Sequence, residues 1–80
     1  MEQRVRYAIQ FKDFGGTWRD SEDERHRNDN VNHLSGVAHA AAIKYRDSKH
    51  VRIVDCINNI VHAQLDHHGF EVNTDKCDPY

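Results

Sequence analysis

The sequence predicts an α+β domain in which one helix packs on a mainly antiparallel sheet of three to four strands, in the order β-α-β-β. Three observations carry this expectation. Asn30 to Asp47 (NVNHLSGVAHAAAIKYRD) is the only segment both long and periodic enough for a helix. Arg4 to Phe14 alternates apolar and polar residues as a half-buried strand does. His50 to Ile57 (HVRIVDCI) and Ile60 to Asp66 (IVHAQLD) are rich in β-branched residues and are separated only by Asn58-Asn59.

In the first strand, Val5, Tyr7, Ile9 and Phe11 share one face, and Arg4, Arg6, Ala8, Gln10 and Lys12 the other, which is expected to be solvated. Gly15-Gly16 reads as a tight turn, because both glycines reach positive φ without steric cost. Thr17-Trp18-Arg19 then pairs back briefly on the first strand. Trp18, the only tryptophan, serves either as a lid over one end of the core or as an anchor for a partner. Asp20 to Asn30 (DSEDERHRNDN) has no apolar residue and is expected to be a solvated loop, with one helical turn started by the capping-box pattern Ser21-x-x-Glu24.

At 100° per residue, Val31, Leu34, Ala38, Ala41, Ala42 and Tyr45 fall within an arc of roughly 100°, the width of a core-facing stripe. Asp29 or Asn30 is the expected N-cap. Lys44 and Arg46 complement the carbonyl end of the helix. Asn32, Gly36, His39 and Ile43 line up on the opposite side with little charge, either as an ordinary exposed face or as a surface for another chain.

A two-residue turn at Asn58-Asn59 would pair Cys56 with Val61, Asp55 with His62 and Val54 with Ala63. That register places Val54, Cys56, Val61, Ala63 and Leu65 on the core face, and it leaves Val51 and Ile53 exposed unless a bulge shifts it or the second face is partly covered. His67-His68-Gly69 reads as a turn, and Phe70-Glu71-Val72 as a short fourth strand. The whole of 1–80 reads as one domain, with a polar tail, 73–80, expected to fray.

Eighty residues with a formal charge of −2 carry no broad basic field, which argues against direct nucleic-acid binding. No signal peptide or membrane-length apolar run is visible, which points to the cytoplasm, and in that reducing compartment the two cysteines, Cys56 and Cys77, are expected to be thiols. Seven histidines invite a metal reading. Their spacing does not support it: His33 and His39 lie about 120° apart on the helix, and adjacent His67 and His68 would point to opposite faces of a strand. Neither cysteine has a second one at knuckle distance. Cys56 reads as an inert core thiol, and Asp55 opposite His62 as a cross-strand pair without a nucleophile or an oxyanion hole. No catalytic set, metal or cofactor is therefore expected.

The strand RYAIQF, the Gly-Gly turn, Thr-Trp-Arg-Asp, a polar loop, the Ala-rich helix and the Val-Arg-Ile-Val strand together resemble a class of small phage and prophage proteins. Those also open on an aromatic-containing strand, a glycine turn and a tryptophan, and close on a similar strand after one helix. The resemblance spans Arg4 to about Leu65. The strand-helix-strand-strand order is similar to that of several small phage inhibitors of bacterial CRISPR surveillance complexes. It implies a non-catalytic protein of the host cytoplasm that binds, and inhibits or modulates, a host protein or ribonucleoprotein complex. No family binding motif is matched position by position, and the histidine-rich C-terminal extension departs from the pattern.

The contact set expected from the residues themselves is the acidic loop (Glu22, Asp23, Glu24), Trp18, and the His39/Ile43 face of the helix. Two other readings stand beside it. One is a metal-binding or small enzyme domain using His62, His67 and His68. The other is a homodimer joined by an open sheet edge or the outer helix face.

Overall fold

The computed structural model describes residues 5–13, 15–45 and 50–73. In chain order these form β1 (Tyr7–Lys12), β2 (Trp18–Asp20), a 3-10 turn (Glu24–His26), β3 (Arg27–Asn28), α1 (Val31–Lys44), β4 (His50–Asp55) and β5 (Ile60–Leu65). The fold is α+β, one helix on a five-stranded antiparallel sheet of order β2-β1-β4-β5, with β3 also on β1. β2 pairs with Gln10 to Lys12 and β3 with Tyr7 and Ala8, so together they make one interrupted edge. β3 is an addition to the sequence expectation. It arises from a stretch with no apolar residue, where main-chain pairing rather than side-chain burial holds the strand.

The helix forms where its stripe requires it. The Asn30 side chain caps it by accepting from the amides of Asn32, at 3.0 Å, and His33. Leu34, Ala38, Ala41 and Ala42 are buried against Ile9, Val51, Ile53 and Leu65, with Val31 and Tyr45 at the margin. The alanines bring the helix axis close to the sheet. The expected end at Asp47 lies outside the described residues; Tyr45 is the C-cap, its amide donating to the Ala41 carbonyl.

The Gly15-Gly16 turn is present, with Gly16 at φ +82°. Its geometry is held by Asp13, whose Oδ1 accepts from the amides of Gly15 (3.0 Å) and Thr17 (3.1 Å) while Oδ2 takes the Arg19 guanidinium at 2.8 Å. That guanidinium, with the amides behind it, lowers the Asp13 pKa. The Asp66-His67-His68-Gly69 turn is built the same way: Asp66 Oδ1 accepts from the amides of His68 (2.8 Å) and Phe70 (3.0 Å), and Gly69 takes φ +84°. The expected fourth strand at Phe70 to Val72 shrinks to a single bridge between Glu71 and Leu65.

The β4–β5 hairpin departs most from expectation. Asp55 pairs with Ile60, Val54 with Val61 and Ile53 with Ala63, so the loop has four residues and His62 is an extra, bulged one. Asp55 is the reason for the longer loop. Its carboxylate accepts from the amides of Ile57 (3.0 Å) and Asn58 (3.1 Å), from Asn58 Nδ2 (2.9 Å) and from Arg6 Nε (3.1 Å). Burial raises its pKa, but these donors outweigh burial and hold it at about 2. Asn59 supplies the one positive φ among the described non-glycine residues.

Of the outcomes the sequence left open, the bulge shifts the register, and Val51 and Ile53 face the helix and are buried. Three expectations are corrected: Val54 and its partner Val61 lie on the sheet face away from the helix; Cys56 sits in the loop, half-buried, and not on the core face; and His62 packs edge-on against Tyr7, with ring centroids 5.4 Å apart, instead of pairing with Asp55. Cys77 lies outside the described residues.

The second sheet face is also covered. Ala8, Arg52 and Val54 are buried there, which revises the expected solvated side of β1. Trp18 stands on this face, away from the helix, with its ring 4.3 Å from the Arg52 guanidinium carbon. Arg52 Nε donates to Gln10 Oε1 at 2.9 Å, and Gln10 Nε2 to Asp20 Oδ1 at 2.7 Å. Trp18 is therefore a lid on a small polar layer rather than on the helix-side core.

Candidate functional site

A concave surface lies where the 3-10 turn meets α1. Asp23, not Ser21, is the N-cap of that turn, accepting from the Arg25 amide at 2.9 Å. The same carboxylate takes Arg25 NH2 at 2.9 Å, and this pairing lowers the Asp23 pKa to about 2 and raises that of Arg25. Ser21 is buried beneath the turn, its Oγ 2.6 Å from His26 Nδ1 and accepting from the Asp23 amide at 3.2 Å. His26 Nε2 lies 3.9 Å from Asp23 Oδ2, beyond hydrogen-bond reach. The Ser21, His26 and Asp23 side chains thus close the turn on itself, with the hydroxyl facing inward.

Aromatic rings hold the turn to the rest of the protein. Phe11 of β1 packs against His26, with centroids 5.9 Å apart, and edge-on against Tyr45 at 5.4 Å. Phe11 and Tyr45 both belong to the core-facing patterns read from the sequence. Their meeting with His26 requires β1, the turn and the helix end to converge, which no local pattern encodes.

Two adjoining cavities open beside this junction. One, of about 740 Å³, runs between the turn and the helix, with Val37, Ala40, Ala41 and Tyr45 on the helix side and Asp23, Glu24, Arg25, Arg27, His33 and Lys44 around the rim. The other, of about 460 Å³, lies towards the β1–β2 turn and is bounded by Phe11, Tyr45, Asp13, Arg19, Asp20, Ser21 and Glu22. Both are walled by Asp23, His26 and Tyr45.

Of the six residues expected to meet a partner, the structure gathers Glu22, Asp23 and Glu24 at these cavities. His39 and Ile43 lie on another flank of α1, roughly 110° around the helix from Val37, Ala40 and Lys44. His39 is engaged there: its Nδ1 is 2.8 Å from the Gly69 carbonyl and its ring is 6.1 Å from that of Phe70. Ile43 is exposed, and so is Phe70. Trp18 occupies the sheet face opposite the helix, a third surface. Sequence reading missed Phe11, His26, Val37, Lys44 and Tyr45 as cavity residues; their common signal is closeness in space.

The histidines of the metal reading are dispersed. His67 and His68 lie side by side in the turn after β5, with ring centroids 4.0 Å apart and planes tilted by 43°, while His62 stands beside Tyr7. Among the described residues no three of His, Cys, Asp or Glu are grouped so as to hold a metal ion, and no helix is long and apolar enough to cross a membrane. No family model, no curated protein and no solved structure matches the chain.

Proposed function

We propose that this is a small, non-catalytic, phage-type protein that binds a host protein or ribonucleoprotein complex in the host cytoplasm and inhibits or modulates it. The observation that carries the reading is the trough of two adjoining cavities beside Tyr45, whose apolar floor is ringed by charged side chains. An apolar floor with a polar rim is the form that recognition sites on proteins take. The acidic loop contributes Glu22, Asp23 and Glu24 to that rim, where they favour and steer a partner carrying basic residues.

The test is affinity capture from bacterial lysate with the wild-type protein and a Glu22→Lys/Glu24→Lys variant, followed by binding measurements with each purified captured component. The expected result is a saturable complex that the variant weakens by about fivefold or more. Stoichiometric transition metal in tag-free protein, or no component that binds saturably, would refute the reading.

A further inference from the structure

We propose that the side of the protein formed by β5 and the adjacent flank of α1 is an interface for a second copy of this chain, docked about a twofold axis that exchanges the two ends of β5. The inference does not depend on the host-binding reading, whose site lies on another flank of the helix.

The large apolar side chains that are exposed among the described residues all lie on this side. Ile60 opens β5 and Ile57 precedes it in the hairpin loop; they are 53% and 55% exposed. At the other end of the strand stand Phe70, 66% exposed, and Ile43, 45% exposed. His39 fixes that placement: its hydrogen bond to the Gly69 carbonyl and its contact with the Phe70 ring set its flank of α1 beside the end of β5. Ile43 follows one turn later on the same flank. Single exposed apolar side chains are common on proteins, whereas a grouped set marks a contact surface.

The charges lie elsewhere. Charged residues make up 30% of the chain, yet Val31 to Ile43 and Cys56 to Leu65 contain none. Two copies carry identical charges, so a neutral surface is the kind that meets itself without like-charge repulsion. The carboxylates that border this side, Asp66 and Glu71, sit at the Phe70 end. A twofold that swaps ends sets them against Ile57, Asn58, Asn59 and Ile60 of the second copy, which are uncharged.

The strand edge favours a folded copy over an extended peptide. Glu71 bridges Leu65, and the Val72 amide donates to the Gln64 carbonyl at 2.9 Å, so the outer edge of β5 is already engaged at its C-terminal end. An added strand therefore cannot run the length of that edge, and the contact is made by side chains. Ile60 to Leu65 and Asn32 to Ile43 each span about 17 Å, so the apolar pairs at the two ends are equally far apart in both copies. At their exposures the four side chains offer on the order of 450 Å² per copy, about 900 Å² for the pair, and Gly36, Asn58 and Asn59 carry the contact past the roughly 1,000 Å² of a specific interface.

The experiment is sedimentation equilibrium of the full chain over a concentration series. The expected result is a reversible monomer–dimer equilibrium with a Kd in the micromolar range. Ile60→Lys and Phe70→Glu each weaken it about tenfold or more. The double variant recovers to within about threefold of wild type, because the twofold sets each new cation against a new anion of the other copy. Within one copy the two positions lie about 17 Å apart, beyond ion-pair reach. Thr17→Glu, exposed on the β1–β2 turn, leaves dimerisation unchanged. Should a substitution impair folding, which circular dichroism reports, Gly36→Glu replaces it. Nothing lies within 4 Å of an added Cβ there, and the variant places like charges near the axis, weakening the dimer about tenfold or more.

A monomer at every concentration, an assembly that grows beyond the dimer, or a dimer indifferent to these substitutions overturns the proposal. So does weakening by both single variants without recovery in the double. Glu22→Lys/Glu24→Lys leaves dimerisation intact while it weakens the host complex, so the two readings fail separately.

Discussion

Gly69 and His39 provide the sharpest check on the packing of the helix flank. Gly69 has φ +84°, and a Cβ placed on it would collide with His39 Nδ1 and come within 2.7 Å of Cε1 and 3.1 Å of Cγ. The ring moves only by giving up its hydrogen bond to the Gly69 carbonyl, 2.8 Å long. Gly69→Ala thus combines a left-handed backbone penalty of about 1–2 kcal/mol with a lost hydrogen bond of about 1 kcal/mol. The expected sum is about 2–3 kcal/mol, a fall in Tm on the order of 10–20 °C for a domain of this size.

The assay is urea and thermal unfolding of Gly69→Ala, His39→Ala and the double variant. In the His39→Ala background only the backbone penalty remains, so the coupling between the two sites is expected to be about 1 kcal/mol. Equal losses in both backgrounds would remove the ring collision from the account. No loss at all would show that residue 69 does not hold a left-handed conformation.

Four further outcomes are expected. Gly36 lies within α1 with nothing within 4 Å of an added Cβ, so Gly36→Ala stabilises by about 0.5–1 kcal/mol in urea unfolding; a loss of stability would mean that the site is occupied. Leu34 is fully buried in the core, and Leu34→Ala costs about 2–5 kcal/mol by the same measurement, whereas a loss under 1 kcal/mol would take it out of the core. The Asp55 carboxyl titrates at about 2 when folded, below the ordinary value near 3.9. Its contribution is therefore full above about pH 4 and lost as pH falls through 2. Asp55→Asn makes the fall of the urea midpoint between pH 4 and pH 2 shallower, and an unchanged slope would contradict the hydrogen-bond network drawn around it. Arg52→Met, by removing the cation under Trp18 and the bond to Gln10, shifts tryptophan emission and lowers stability; unchanged emission would place Trp18 elsewhere.

The sequence by itself determined the elements whose signal is local. The 3.6-residue stripe from Val31 to Tyr45, the alternation through Tyr7, Ile9 and Phe11, and the Gly16 and Gly69 turns all follow from which side chains share a face or tolerate positive φ, and the choice of cap was narrowed to Asp29 or Asn30. Strand register and surface assembly were decided only in three dimensions. The β4–β5 register depends on Asp55 gathering three loop donors and on Arg6, 49 residues away. These bonds lengthen the loop, the bulge at His62 restores Ala63 and Leu65 to the core side, and Val51 and Ile53 turn inward. β3 has no apolar pattern to announce it and exists because β1 offers it main-chain partners. The candidate site divides the same way: the acidic residues Glu22 to Glu24 were legible as a charge run. The trough that gives them a floor depends on Phe11, His26 and Tyr45 meeting across three elements, because a cavity is a property of separated segments brought together.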